Sequence, residues 1–168
     1  MKGKWIVCLI MVFAYVSNAQ LVPLSPGVLK NFIETGITGF TAGEPTGSLL
    51  KLDGLTYSSA VIEYKNPSGN YVRITLLDCT DAINMYNTAI ALWETGTLLK
   101  DSESEVNLFD FGPGVRGWEE YRRDERIAVV ALDIVDRFIM TIEADNQSGT
   151  DRVRNIAQNL ELEQLVSQ

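Results

Sequence analysis

Residues 57–77 constrain the fold more than any other stretch. Tyr57 to Lys65 alternates with period two: Ser58, Ala60, Ile62 and Tyr64 share one parity, and Tyr57, Ser59, Val61, Glu63 and Lys65 the other. The Ser58–Tyr64 side is the more apolar. Asn66-Pro67-Ser68-Gly69-Asn70 follows, a run of turn formers, and Tyr71 to Leu77 returns rich in β-branched and aromatic residues. Alternating runs joined by such a segment make an antiparallel hairpin. A sheet with one apolar side has to be covered, so the remaining sequence is read for its neighbours and its cover.

Helical spacing supplies the cover. Thr80 or Asp78 can cap a helix over 80–94, with Asp81 near the positive end of its dipole. Ile83, Tyr86 or Asn87, Ile90 and Trp93 stack along one side, and Ala82, Met85, Ala89 and Leu92 widen the stripe. A second main helix starts at Asp151, capped by Thr150, and buries Val153, Ile156, Ala157 and Leu160. Val28, Leu29, Phe32 and Ile33 predict a short helix over about 27–35.

Further strands follow from the same periodicity. Leu50, Leu52 and Leu55 predict a strand that turns at Asp53-Gly54. The acidic segment Asp101 to Glu105 joins or begins a strand pair, and Phe109 to Gly117 reads as a turn-rich stretch with aromatic residues. Trp118 to Arg123, Ile127 to Leu132 and Arg137 to Glu143 read as strands, the second the most apolar and central. Asp145 to Gly149 is a polar turn. Tyr71–Trp93 and Phe138–Leu160 both run strand, acidic turn, helix. There is no regular strand–helix alternation, which argues against a doubly wound sheet. The expected class is α+β: an antiparallel sheet of about six or seven strands with two main helices packed on one side of it.

The N-terminus adds a second constraint. Lys2 and Lys4 precede an apolar run from Trp5 to Val16, and Ser17 and Ala19 stand at the spacing of a signal-peptidase site. A run of about twelve residues is short of the roughly twenty that cross a bilayer. The expected organisation is a signal peptide over 1–19, a short helix and loop over 20–47, and one α+β domain over 48–168 with 20–47 packed on it. The expected location is periplasmic or secreted, with no stable membrane insertion after cleavage near Ala19. The signal segment carries two of the fourteen basic residues and none of the twenty-two acidic ones, so the remainder has a net charge of about −10. Nucleic acid is disfavoured as a partner, because phosphate binding needs clustered positive charge.

The residue inventory restricts the chemistry. With no histidine in the chain, Ser-His-Asp, Cys-His and HExxH arrangements are excluded. Cys79 stands alone once Cys8 leaves with the signal, and reads as a packing residue. Phe111-Gly112-Pro113-Gly114-Val115-Arg116-Gly117 has proline between its first two glycines and does not read as a phosphate cradle. Asp145 to Asp151 resembles part of a calcium loop but lacks the terminal glutamate, and reads as a polar turn with a helix cap. No cofactor and no metal is expected. Trp118 to Arg126 mixes both charge signs with two aromatics. Cross-strand ion pairs on a solvated hairpin are the plain account. The sharper account is a binding surface in which Arg116, Arg122 or Arg123 holds an anion or a partner carboxylate, with Trp118 and Tyr121 as flat contacts.

Four stretches, Gly54–Ala60, Val72–Asp78, Gly117–Tyr121 and Asp136–Glu143, together resemble small exported bacterial proteins of Bacteroidetes type. The layout is also similar to the Mog1/PsbP-like folds, antiparallel sheets flanked by helices. The resemblance implies a binding or accessory role and carries over no catalytic residue. The expected function is an exported non-enzymatic binding or envelope accessory protein with a protein or small-molecule partner. The alternative is a hydrolase that uses two carboxylates as acid and base.

Overall fold

The computed structural model describes residues 22–52, 54–98 and 104–168. The expected signal segment, Asp53 of the predicted turn and most of the acidic segment lie outside the described residues. The elements are α1 (Pro26–Lys30), β1 (Thr41–Ala42), β2 (Thr46–Leu52), β3 (Leu55–Lys65), β4 (Tyr71–Asp81) and α2 (Ile83–Leu98), then β5 (Ser104–Gly112), β6 (Val115–Arg122), β7 (Ile127–Ile134), β8 (Phe138–Ala144), α3 (Asp151–Gln158) and α4 (Leu162–Val166). All the strands belong to one antiparallel sheet of eight, ordered β1-β3-β4-β8-β7-β6-β5, with β2 also on β3. The class is α+β, as the periodicity predicts.

The β3–β4 hairpin is where the sequence places it. Tyr64 pairs with Val72 and Lys65 with Tyr71. Asn66 closes the turn: its side-chain Oδ1 accepts from the Ser68 and Asn70 N–H groups, and Gly69 takes φ +85°. That is a turn held by its own asparagine, with glycine where the backbone needs a left-handed residue.

Each strand's parity then decides what it meets. Ala60, Ile62 and Tyr64, Val72, Ile74 and Leu76, Ala128, Val130, Leu132 and Ile134, and Phe138, Met140 and Ile142 form the main core with α1, α3 and α4. The opposite parity meets α2, where Cys79, Trp118 and Ile139 pack with Tyr86 and Ile90. β7 has helices over both its faces, and every residue from Ala128 to Ile134 is buried. This is why it reads as an unbroken apolar run rather than an alternation.

Three expectations are corrected. The two main helices were expected on one side; α2 and α3 lie on opposite faces, α2 over Cys79, Trp118 and Ile139 and α3 over the main core. The repeated strand–turn–helix order is therefore an echo of sequence order without symmetry, although β4 and β8 are direct neighbours. Asp78 and Thr80 do not cap α2; both lie within β4, which runs on to Asp81. Phe109 and Phe111 lie in strand β5, not in a turn, and the turn shrinks to residues 112–114, where Gly112 and Gly114 take φ of +122° and +76°. Gly117 sits inside β6 beneath the Phe109 ring, and a Cβ there would lie 2.5 Å from that ring. A glycine covered by a cross-strand aromatic is a sheet device, and in sequence it looks like a loop residue.

The segment before β1 belongs to the same body. Leu29 and Ile33 are fully buried in the main core. Gly47 of β2 lets α1 approach, since a Cβ there would meet Pro26 Cβ at 2.8 Å and the Ser59 carbonyl oxygen at 2.9 Å.

Candidate functional site

Charged residues make up about a fifth of the chain, and three carboxylates among the described residues are buried: Asp78, Glu119 and Asp133. Each carries a guanidinium partner, and each fastens a different non-sheet segment to the sheet. Glu119 of β6 faces α3. The Arg154 guanidinium grips both its oxygens, with Nε at 3.0 Å from Oε2, and the Thr150 hydroxyl donates to Oε2 at 2.7 Å. Thr150 precedes α3 as expected, but its side chain is turned to Glu119 and makes no cap hydrogen bond.

Asp133 of β7 faces α2. The Tyr86 hydroxyl donates to Oδ1 at 2.6 Å and Arg116 Nε donates to Oδ2 at 2.8 Å. Burial, then the neighbouring Asp133 carboxylate, pushes the Tyr86 pKa up, so the hydroxyl keeps its proton and donates.

Asp78 of β4 gathers both ends of the described chain. Its carboxylate accepts from the Leu24 N–H at 2.8 Å, from Thr80, and from Arg137 through two nitrogens at 2.8 and 3.1 Å. Arg137 also donates to the Gln168 carbonyl oxygen at 3.2 Å, and Ser58 donates to the Leu24 carbonyl at 2.5 Å. Burial alone would raise the Asp78 pKa, but Arg137, Thr80 and the Leu24 N–H together hold it below the ordinary value. Every buried side-chain nitrogen and oxygen among the described residues has a partner. These three carboxylates are already committed to fastening the fold.

The five residues singled out from the sequence do not form one patch. Trp118 is 1% exposed and packs under α2, with the Arg116 guanidinium 5.6 Å from its ring centre. Arg116 spans Asp133, Glu94 and Asp136 at the edge of α2. Tyr121 points to the other face, where its hydroxyl donates to the Gln147 carbonyl at 3.0 Å. Arg122 lies along Glu120 with two contacts of 3.0 Å, and Arg123 pairs with Glu105 at 2.9 Å. Arg116 thus pairs with Asp133 of β7 and Arg123 with Glu105 of β5, whereas Arg122 pairs with Glu120 of its own strand and is not a cross-strand pair; of the five, the structure brings Arg116 and Trp118 together. In the stretch Asp145 to Asp151, which resembles part of a calcium loop, Asp145 Oδ1 accepts the Tyr71 N–H at 2.6 Å.

A broad concavity lies elsewhere. A groove of about 760 Å³ runs between the β5–β6 turn and the last two helices. Its floor is apolar: Val115, Leu160 and Leu162, each 6–8% exposed, with Phe111, Pro113 and Val166 beside them. Its rim carries Glu161, Glu163, Gln158 and Gln164, with a Gln164–Glu161 hydrogen bond along one side. No lysine or arginine lines it. Gly112 and Pro113 line one wall, and Gly114 leaves room for Val135 and Val166 to close beneath the turn. The only advance signal was the turn-forming run 112–114; the opposite wall comes from residues some fifty positions later, a pairing that periodicity does not reveal.

No helix among the described residues is long and apolar enough to cross a membrane. No family model, curated protein or solved structure matches the chain.

Proposed function

We propose that this chain is an exported, non-enzymatic binding or envelope accessory domain that takes a small ligand in the groove between the β5–β6 turn and α4. The carrying observation is that groove. Its volume of about 760 Å³ falls in the range of ligand sites, and its apolar floor with a few polar groups at the rim is their usual make-up. Export rests on the N-terminal sequence, and the committed state of the buried carboxylates favours a scaffold role for them over acid–base work. The test is affinity capture from the native envelope or secretions, with the wild-type protein and with Gln164→Trp as baits. Gln164 is an exposed rim residue, so the indole fills the mouth without entering the core. The ligand recovered with wild type should be missing with the variant. Equal recovery would remove the groove as the site, and a recovered protein that still carries the apolar run from Trp5 to Val16 would count against the export reading.

A further inference from the structure

The groove's charge is as one-sided as its floor is apolar. Glu161 and Glu163 stand on its rim as exposed carboxylates, Gln158 and Gln164 add only neutral amides, and no cationic side chain lines it. The adjoining cleft beside Phe109 and Phe111 holds Arg154, and its charge is already engaged by Glu119. The surrounding domain has the same sign, with a net charge of about −10 after the signal segment. An anionic ligand would enter against both the local and the overall field, whereas a cation is drawn in and held at the rim.

We infer that the groove is selective for small cationic amphiphiles, molecules with an apolar body and one ammonium or guanidinium group. The apolar body lies over Val115, Leu160, Leu162 and Val166, out of water. The cation stays at the mouth beside Glu161 and Glu163, where it remains partly hydrated and avoids the cost of burying an unpaired charge. Two features therefore divide the work: the floor supplies affinity in proportion to apolar area, and the rim supplies sign selection. The Gln164 amide donates to Glu161 on the rim.

This inference rests on the groove being the ligand site, and a matched series of probes separates the two. Octyltrimethylammonium, 1-octanol and octanoate share one alkyl chain and differ in the charge of the head. Each is titrated into the protein recovered after export, by calorimetry at low ionic strength, with chemical-shift mapping to locate the contact. The expected order is ammonium, then alcohol, then octanoate, with the ammonium about fivefold tighter than the alcohol, as two partly exposed carboxylates can provide. Shifts should fall on residues 111–115 and 158–166. The double variant Glu161→Gln, Glu163→Gln should bring the ammonium down to the affinity of the alcohol and leave the alcohol unchanged; both positions are exposed, so the fold is retained. Equal affinity of ammonium and alcohol for the wild type overturns the charge selection and leaves the groove standing. Absence of binding by all three, or shifts confined to other residues, overturns the groove itself.

Discussion

The Tyr86 hydroxyl lies 2.6 Å from Asp133 Oδ1 and joins α2 to the middle of the sheet beside the packed side chains of Cys79, Trp118 and Ile139. Tyr86→Phe keeps the ring and removes only this donor. Asp133, 2% exposed, is then left with Arg116 alone. The expected cost is about 1–3 kcal/mol, the range for a buried group that loses one partner. Urea denaturation measures it; an unchanged midpoint would show that the bond adds nothing to the attachment of α2.

Glu119 and Arg154 form the equivalent link to α3. Arg154→Met retains the length of the side chain and strands a carboxylate that is 7% exposed. A loss of up to about 3 kcal/mol is expected, less than for a wholly buried pair because Arg154 is partly in water. Adding Glu119→Gln should recover part of it, since the uncompensated charge is gone. A double-mutant cycle reads the coupling, and additive losses would rule the link out.

Acid should find Asp78. Its folded pKa is depressed, so it contributes stability that is present above the ordinary carboxyl value and is lost as pH falls through the folded value. Between pH 5 and pH 3 the wild-type midpoint in urea should drop further than that of Asp78→Asn, whose side chain does not titrate. Parallel pH profiles would contradict the assignment.

Cys79 is 2% exposed, and burial, then the adjacent Asp78 charge, pushes its thiol up to about 12. A thiol that is both covered and protonated is a poor nucleophile. Native protein at pH 8 should leave a disulfide reagent unconsumed, and the colour should develop at the rate of unfolding when urea is added. Immediate reaction in the folded state would mean that α2 does not cover Cys79.

What could be read in advance divides along a physical line. Local patterns predicted local structure: the hairpin around Asn66-Gly69, the apolar stripe of α2, the strand at Ile127 and the helix at Asp151 all appear within a few residues of their expected bounds. Which face a helix covers depends on the path of the connection before it, a single residue before α2 and the loop 145–150 before α3, and local periodicity does not report that path, so the opposite placement of α2 and α3 was hidden. Gly117 and Phe109 looked like loop residues because their partnership runs across strands. The same limit applied to charge. Asp78 read as a helix cap and Glu119 as one charge in a mixed segment, and the roles of Asp78, Glu119 and Asp133 depend on Arg137, Arg154 and Arg116, none of which is fixed as a partner by sequence spacing. Trp118 looked like an exposed contact for the same reason: α2, which covers it, arrives from elsewhere in the chain.

The cluster at Asp78 has a topological consequence. Leu24 is held by this carboxylate, and Gln168 by the arginine that grips it, so the two ends of the described chain are neighbours. The backbone runs as a nearly closed ring. Joining residues 22 and 168 by a short glycine-rich linker and reopening the ring at the exposed Ser68-Gly69 turn would give a circularly permuted chain with the same sheet order, because neither cut nor joint crosses a strand pairing.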